Sequence, residues 1–253
     1  MTETAVTIVL GATGEMGSAI ARALAQKDHL LVLHGLSDEQ KLEALRAELE
    51  VPRERCLLAD VRDESAIRDL VVRAAEFGPV GGLVYAVGWN PTAAKVTEID
   101  ASVWADTLAV NLTGAFLILK HALPALRQHG AARVVLVSSI FGLRSPARRA
   151  AYAASKHGLS ALVQCVAKEE GEAVQINGVC PGAMWSENVR HIFATHARES
   201  GIELEDYVKQ RVASIPAGRF VQPEECASVV AFLMGPEASF LSGEMIRVAG
   251  GED

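Results

Sequence analysis

The feature that most constrains this chain is a regular alternation of short apolar runs with amphipathic stretches. Ala5–Leu10 has the length and content of a strand, and glycines and a helical pattern around Ile20 and Leu24 follow it. Leu30–Leu33 is a second such run, and others fall at Arg55–Ala59, Gly82–Val87, Arg133–Val137, Val174–Val179 and Glu244–Val248. Helical patterns lie between them, at about 63–77, 102–127, 152–170 and 223–234. Ser37 to Gln40 reads as a capping box with Ser37 as N-cap, after which Leu42, Leu45 and Leu49 share one helix face. Strands alternating with helices imply βαβ units, whose right-handed crossovers cover both faces of a parallel sheet. The expected fold class is α/β: a Rossmann-type, doubly wound parallel sheet of about seven strands in one domain, 1–253.

One segment breaks the rhythm. The stretch from Trp185 to Phe220 is long for a connection and carries helical patterns at Asn188–Ala197 and Leu204–Val212. Excursions beyond the C-terminal ends of parallel strands tend to cover ligands, so about 185–220 is read as a substrate lid.

Composition removes several function classes. With 31 acidic against 24 basic residues and a net charge of −7, an electrostatic nucleic-acid binder is not expected. Aromatic residues are 5%, too few for a base-stacking surface. Cys56, Cys165, Cys180 and Cys226 form no metal or CxxC spacing and read as buried, reduced thiols. The start lacks a signal-peptide pattern, and no run is read as crossing a membrane. A cytoplasmic protein without membrane or nucleic-acid partners is expected.

The cofactor signal lies at the end of the first run. Gly11, Gly14 and Gly17 stand between a first strand and a first helix. Glycines there allow a tight turn and close backbone approach to a pyrophosphate, which the helix N-terminus can receive. The tip of the second strand reads His34-Gly35-Leu36-Ser37, with neither the carboxylate that favours NAD nor an arginine that favours NADP. Ser37 opening a helix could hold a 2′-phosphate, so NADP(H) is favoured and NAD(H) kept as the alternative. Asp60 after the third run fits either an adenine contact or a cap for the helix that begins near Asp63.

The chemical signal is Tyr152-Ala-Ala-Ser-Lys156, which puts phenol and ammonium one helical turn apart. Tyrosine alone titrates near pH ~10, and a neighbouring cation is expected to lower that value and suit it to acid–base work. Ser139 ends a strand-like run, where α/β sheets bind ligands. Asn111 stands inside a helical pattern, an unfavourable place that hints at a task.

With these landmarks the chain resembles the short-chain dehydrogenase/reductase family over nearly its whole length, in particular its 3-oxoacyl-carrier-protein reductases and related ketoreductases. Pro181-Gly182, Pro223-Glu224-Glu225 and the terminal Ala249-Gly250-Gly251 add to the match. The resemblance implies the strand order 3-2-1-4-5-6-7 and a homotetramer or homodimer, with interfaces at 102–127, 152–170 and the last strand. It implies Tyr152 as acid/base, Lys156 as holder of the nicotinamide ribose, Ser139 as substrate-oxygen donor and Asn111 as binder of a proton-relay water. It implies cofactor contacts from Gly11, Thr13, Gly14, Glu15, Met16, Gly17, His34, Gly35, Ser37, Asp60, Val61, Ala86, Gly88, Tyr152, Lys156, Pro181, Gly182, Met184 and Ser186. Two departures stand out. Glu15 occupies a position of the family's glycine pattern and must point to solvent to avoid repelling a phosphate. Tyr85-Ala86-Val87-Gly88 replaces the usual Asn-Asn-Ala-Gly.

The reaction this implies is reduction of a ketone by NAD(P)H, on a small-molecule or carrier-protein-bound substrate such as a 3-oxoacyl thioester. An oxidative NAD-linked alcohol or diol dehydrogenase and a non-catalytic dinucleotide-binding regulator are the alternatives. Trp89, Phe141, Leu143, Trp185 and Phe193 are the candidate substrate residues. Arg144, Arg148 and Arg149 lie close together between Ser139 and Tyr152 and could receive a carrier or phosphopantetheine anion. No metal is implied.

Overall fold

In the computed structural model, which describes residues 4–252, β1 (Val6–Leu10) is an inner strand of a seven-stranded parallel sheet. It pairs with β2 (Leu30–Gly35) on one side and with β4 (Val80–Tyr85) on the other. β3 (Cys56–Leu58) extends the first side; β5 (Ala132–Val137), β6 (Val174–Pro181) and β7 (Met245–Val248) extend the second. The order is 3-2-1-4-5-6-7, as the resemblance implies. The chain therefore turns in opposite directions on leaving β1 and β4, and a crevice opens beyond their carboxyl ends.

The helices are α1 (Glu15–Ala25), α2 (Glu39–Glu48), α3 (Glu64–Ala75), α4 (Ala101–Leu108), α5 (Gly114–His129), α6 (Ala150–Glu170), α7 (Glu187–Ser200), α8 (Leu204–Ala213) and α9 (Pro223–Leu233). Both sheet faces are covered because successive strand side chains point opposite ways. Val6, Ile8 and Leu10 of β1 join the layer with Ile67 of α3, Ile118 of α5 and Leu159 of α6. Val9 joins the other layer, with Ile20 of α1, Leu42 of α2 and Val230 of α9. Ile192, Phe193, Ile215 and Phe220 form a separate cluster under α7 and α8.

Several local expectations are corrected. Asp38, not Ser37, caps α2: its carboxylate accepts from Lys41 N at 2.9 Å, and Ser37 stands exposed one residue earlier. Asp63, not Asp60, caps α3. Cys180 and Cys226 are buried, but Cys165 is exposed and Cys56 half-buried. The run Ala101–His129 is long and apolar enough to span a membrane, with a mean hydropathy of 1.4. Ala115, Leu117, Ile118, Leu119, Ala122 and Leu126 of that run pack into the core.

Candidate active site

The glycine turn is set by close backbone packing. Gly11 has φ +78°, and a side chain there would also press on the Ala86 backbone at 3.0 Å. At Gly17 a Cβ would lie 2.0 Å from the Gly11 carbonyl, so only glycine lets α1 pass this close to the turn. α1 has Gly14 as N-cap and receives no side-chain cap, which leaves its first N–H groups open to an anion. Glu15 is exposed and Met16 buried.

His34 braces this turn. Gly11 N–H donates to its Nδ1 at 3.2 Å, so Nε2 carries the hydrogen and donates to Ala59 O at 2.9 Å. Burial holds its pKa below the ordinary histidine value, in keeping with a neutral ring. Both ring nitrogens are thus spent inside the fold. Gly35 is buried behind Thr13, whose Cγ2 a Cβ would approach to 3.0 Å.

A cleft of about 500 Å³ opens beyond these strand ends, lined by Gly11, Thr13, Gly14, Asp60, Val61 and Leu36 among others. Asp60 faces it, but its carboxylate is gripped by the Arg62 guanidinium and by Arg62 N–H at 2.9 Å. The Arg62 side chain holds the Asp60 carboxyl below the usual range. Arg62 lines the same cleft and had no signal beyond its place after Asp60-Val61.

A second cleft, about 410 Å³, shares Ala86, Val87 and Gly88 with the first. Ser139 at the end of β5 and Tyr152 and Lys156 on α6 line it, as do Met16, Pro181, Gly182, Met184 and Ser186. The Lys156 ammonium donates to Val137 O at 3.0 Å and is deeply buried, and burial pulls its pKa down to about 8. Gly88 lies against it: a Cβ there would sit 3.4 Å from Lys156 Nζ. Tyr152 departs from expectation. Burial raises its pKa, the Ser139 hydroxyl and the Arg149 charge oppose that rise, and Lys156 is not among the causes. Ser186 caps α7, accepting from Val189 N at 3.2 Å.

Asn111 sits where the helix is irregular. Residues 109–113 form a π-helical turn between α4 and α5. The Asn111 amide accepts from Trp89 N at 2.7 Å and donates to Trp89 O at 2.8 Å and Ser155 Oγ at 3.0 Å. It ties the segment after β4 to α6. Tyr85 completes the brace, donating to Val110 O at 2.5 Å. Gly114 makes room for it, since a Cβ there would meet the Tyr85 hydroxyl at 2.5 Å. Tyr85 thus supports the π-helical turn.

The predicted substrate residues divide. Phe141 and Phe193 line the second cleft, with Phe141 edge-on to Tyr152 at 6.3 Å. Trp89 lines the first cleft and an adjoining pocket beside Arg149. Leu143 faces a separate shallow pocket, and Trp185 stacks on Phe220 at 5.6 Å without lining the cleft. His196, Tyr207 and Arg211 do line it and were missed. They come from α7 and α8, whose placement depends on a loop path that helical periodicity does not encode. Nor do the three arginines form one cationic patch: Arg144 pairs with Glu252 at 2.7 Å and Arg148 with Glu199 at 2.8 Å, while Arg149 turns into the cleft.

Comparison with known proteins places the chain among nicotinamide-dependent oxidoreductases. A family model described as enoyl-(acyl carrier protein) reductase matches residues 11–252. A D-beta-hydroxybutyrate dehydrogenase of Rhizobium meliloti is 30% identical, the match covering 99% of this chain and 98% of that protein. The solved structure of a single-site variant of actinorhodin polyketide ketoreductase with NADPH superimposes with a TM-score of 0.91 at 30% identity, covering 99% of this chain and 98% of that one. An NAD+-bound xylitol dehydrogenase gives a TM-score of 0.91 at 27% identity, over 98% of this chain and 99% of that one.

Proposed function

The chain belongs to the short-chain dehydrogenase/reductase family, and on that premise we propose that it reduces a ketone to a secondary alcohol with Tyr152 as proton donor. It is an NAD(P)-dependent oxidoreductase. When bound, the nicotinamide cofactor supplies the hydride. The chain's donor set suits such a group: uncapped N–H groups at the start of α1, and a buried Lys156 ammonium that spends one hydrogen on Val137 O and keeps two for a ribose.

The observation that carries the reading is the wall formed by Ser139, Tyr152 and Lys156, set where the two clefts meet at Ala86–Gly88. In this role Ser139 donates to the substrate oxygen and supports its developing negative charge. The Tyr152 hydroxyl passes its proton to that oxygen. Lys156 keeps a positive charge near the phenolate that remains. Asn111 acts through its hold on Trp89 and Ser155, fixing the backbone on which Lys156 and Gly88 face each other.

NADPH is our favoured cofactor, because no carboxylate stands at the tip of β2 to receive a free 2′-hydroxyl. For the substrate we propose a 3-oxoacyl type of ketone, as thioester or free acid, with α7 and α8 of the segment 185–220 acting as its lid. The hydroxybutyrate and xylitol enzymes among the relatives favour a second reading, oxidation of a hydroxy compound with NAD at the same site. We further propose a cytoplasmic homotetramer.

Tyr152→Phe tests the chemistry. NADPH should still bind while ketone turnover disappears; surviving turnover would remove Tyr152 from the mechanism. Depletion of NADPH against NADH over a panel of ketones then ranks cofactor and substrate.

A further inference from the structure

Arg149 is a half-buried cation without an anion among the described residues. It stands at the N-cap of α6, three residues before Tyr152, and lines the catalytic cleft. Its Nη1 donates to Asn90 Oδ1 at 3.2 Å and to Pro91 O at 3.0 Å, both neutral acceptors. Among the described residues no carboxylate pairs with it, whereas its neighbours Arg144 and Arg148 each have one. A guanidinium does not escape this by losing its proton at neutral pH. Taking a cation out of water without a counter-charge is costly, and the cost is recovered when an anion arrives.

A second unmet group lines the same cleft. His196 on α7 has Nδ1 at 3.0 Å from the Tyr207 hydroxyl, while its buried Nε2 has no partner. With the Tyr207 hydroxyl donating to Nδ1, Nε2 carries a hydrogen and is a donor. Burial and the nearby Arg149 charge hold the ring below the ordinary histidine pKa, so the neutral ring is favoured. Among the described residues, the cleft thus holds a cation and a neutral donor that engage no acceptor beyond the Asn90 and Pro91 oxygens.

We propose that Arg149, aided by His196 Nε2, binds a carboxylate of the substrate, so that the ketone reduced at Tyr152 is an oxo acid. The proposal rests on the ketone-reductase reading above and narrows it. A guanidinium suits a carboxylate because its planar N–H fork can hold both oxygens. Its place one turn from Tyr152 suits a short chain between carboxylate and reacting carbonyl. A thioester would put a neutral oxygen there and leave Arg149 uncompensated.

The experiment compares 3-oxo acids with their methyl esters and with simple thioesters of the same acyl chain, using NADPH, wild type, Arg149→Gln and Arg149→Lys. The wild type should prefer the acid. Arg149→Gln should lower kcat/KM for the acid about 10- to 100-fold, mainly through KM, which is the range expected for losing a charged hydrogen bond. The KM of the ester should change by less than about threefold, and Arg149→Lys, which keeps the charge that acts on Tyr152, should restore part of the acid activity. Unchanged NADPH affinity in both variants would exclude a folding defect. A wild type that prefers the ester or thioester, or equal losses on acid and ester, overturns the carboxylate site and leaves the ketone-reductase reading intact. Failure of the wild type to reduce any ketone overturns that reading and the carboxylate site with it.

Discussion

The Lys156 ammonium lies 5.8 Å from the centre of the Tyr152 ring; the lysine is deeply buried, and the half-buried tyrosine lines the cleft. Burial acts on them in opposite directions, raising the phenol and drawing the lysine down to about 8. At neutral pH the phenol therefore holds its proton and the lysine its charge, which is the pair of states a reductase needs.

This relationship sets the pH profile. Reduction should be nearly flat below about 8 and fall as Lys156 loses its proton above that value. A neutral amine no longer offsets the charge left on Tyr152. Oxidation needs the phenolate, so its rate should rise with pH. Initial rates in both directions between pH 6 and 10 check this. A reductive rate still flat at pH 10 would mean that the Lys156 charge is not used.

The same burial predicts a conflict between stability and activity. Lys156 has a folded pKa below its unfolded one, so between about 8 and 10.5 the unfolded chain binds more protons. Stability from this group therefore rises with pH through that window and is lowest below it. Lys156→Met removes the buried charge and should raise stability at pH 7 by about 1–3 kcal/mol. That figure is an upper range, because Val137 O loses its donor. Thermal melts at pH 7 and 10 check the sign, with the gain shrinking at the higher pH, while turnover should be lost.

The alternation of runs made the sheet legible, because strand length and helical spacing are local properties. The glycine turn and the Tyr152–Lys156 spacing were legible for the same reason. Ser37 was misread as a cap because Asp38 offers an equally good acceptor one residue later, and only the path out of β2 decides between them. Trp185 looked like a pocket residue, yet the fold of the 185–220 segment turns it onto Phe220. His196, Tyr207 and Arg211 were invisible for the converse reason: their helices reach the cleft through a tertiary arrangement. Asn111 was noticed as misplaced in a helix, but the π-helical turn that accommodates it shows only in the backbone.

Asn111→Ala tests that turn. The substitution leaves the Trp89 N–H and C=O without their side-chain partner and removes a donor to Ser155. Trp89 is exposed, so water can reach its freed groups, and a loss of about 1–2 kcal/mol in denaturant unfolding is expected. If the role is to hold the segment after β4, NADPH affinity should fall along with kcat. Loss of kcat with unchanged stability and cofactor affinity would instead assign Asn111 to the proton path alone.

Glu252 offers the last test, at the far end of the chain. Its carboxylate is only 4% exposed and accepts from Arg144 at 2.7 Å, from Arg211 of α8 and from Ala183 N at 3.4 Å. It thus ties the turn after β5, the segment after β6 and the helix that brings Arg211 to the cleft. Arg144 also lies over the Phe141 ring, which in turn meets Tyr152 edge-on. Glu252→Gln keeps the shape and removes the charge, leaving two guanidinium groups facing a neutral amide. Because both arginines are partly exposed, a loss of about 1–3 kcal/mol is expected rather than the full cost of a buried pair. Limited proteolysis should show faster cleavage within 185–220, and KM should rise more than kcat falls. A variant with wild-type KM and wild-type protease resistance would show that α8 is held without this carboxylate.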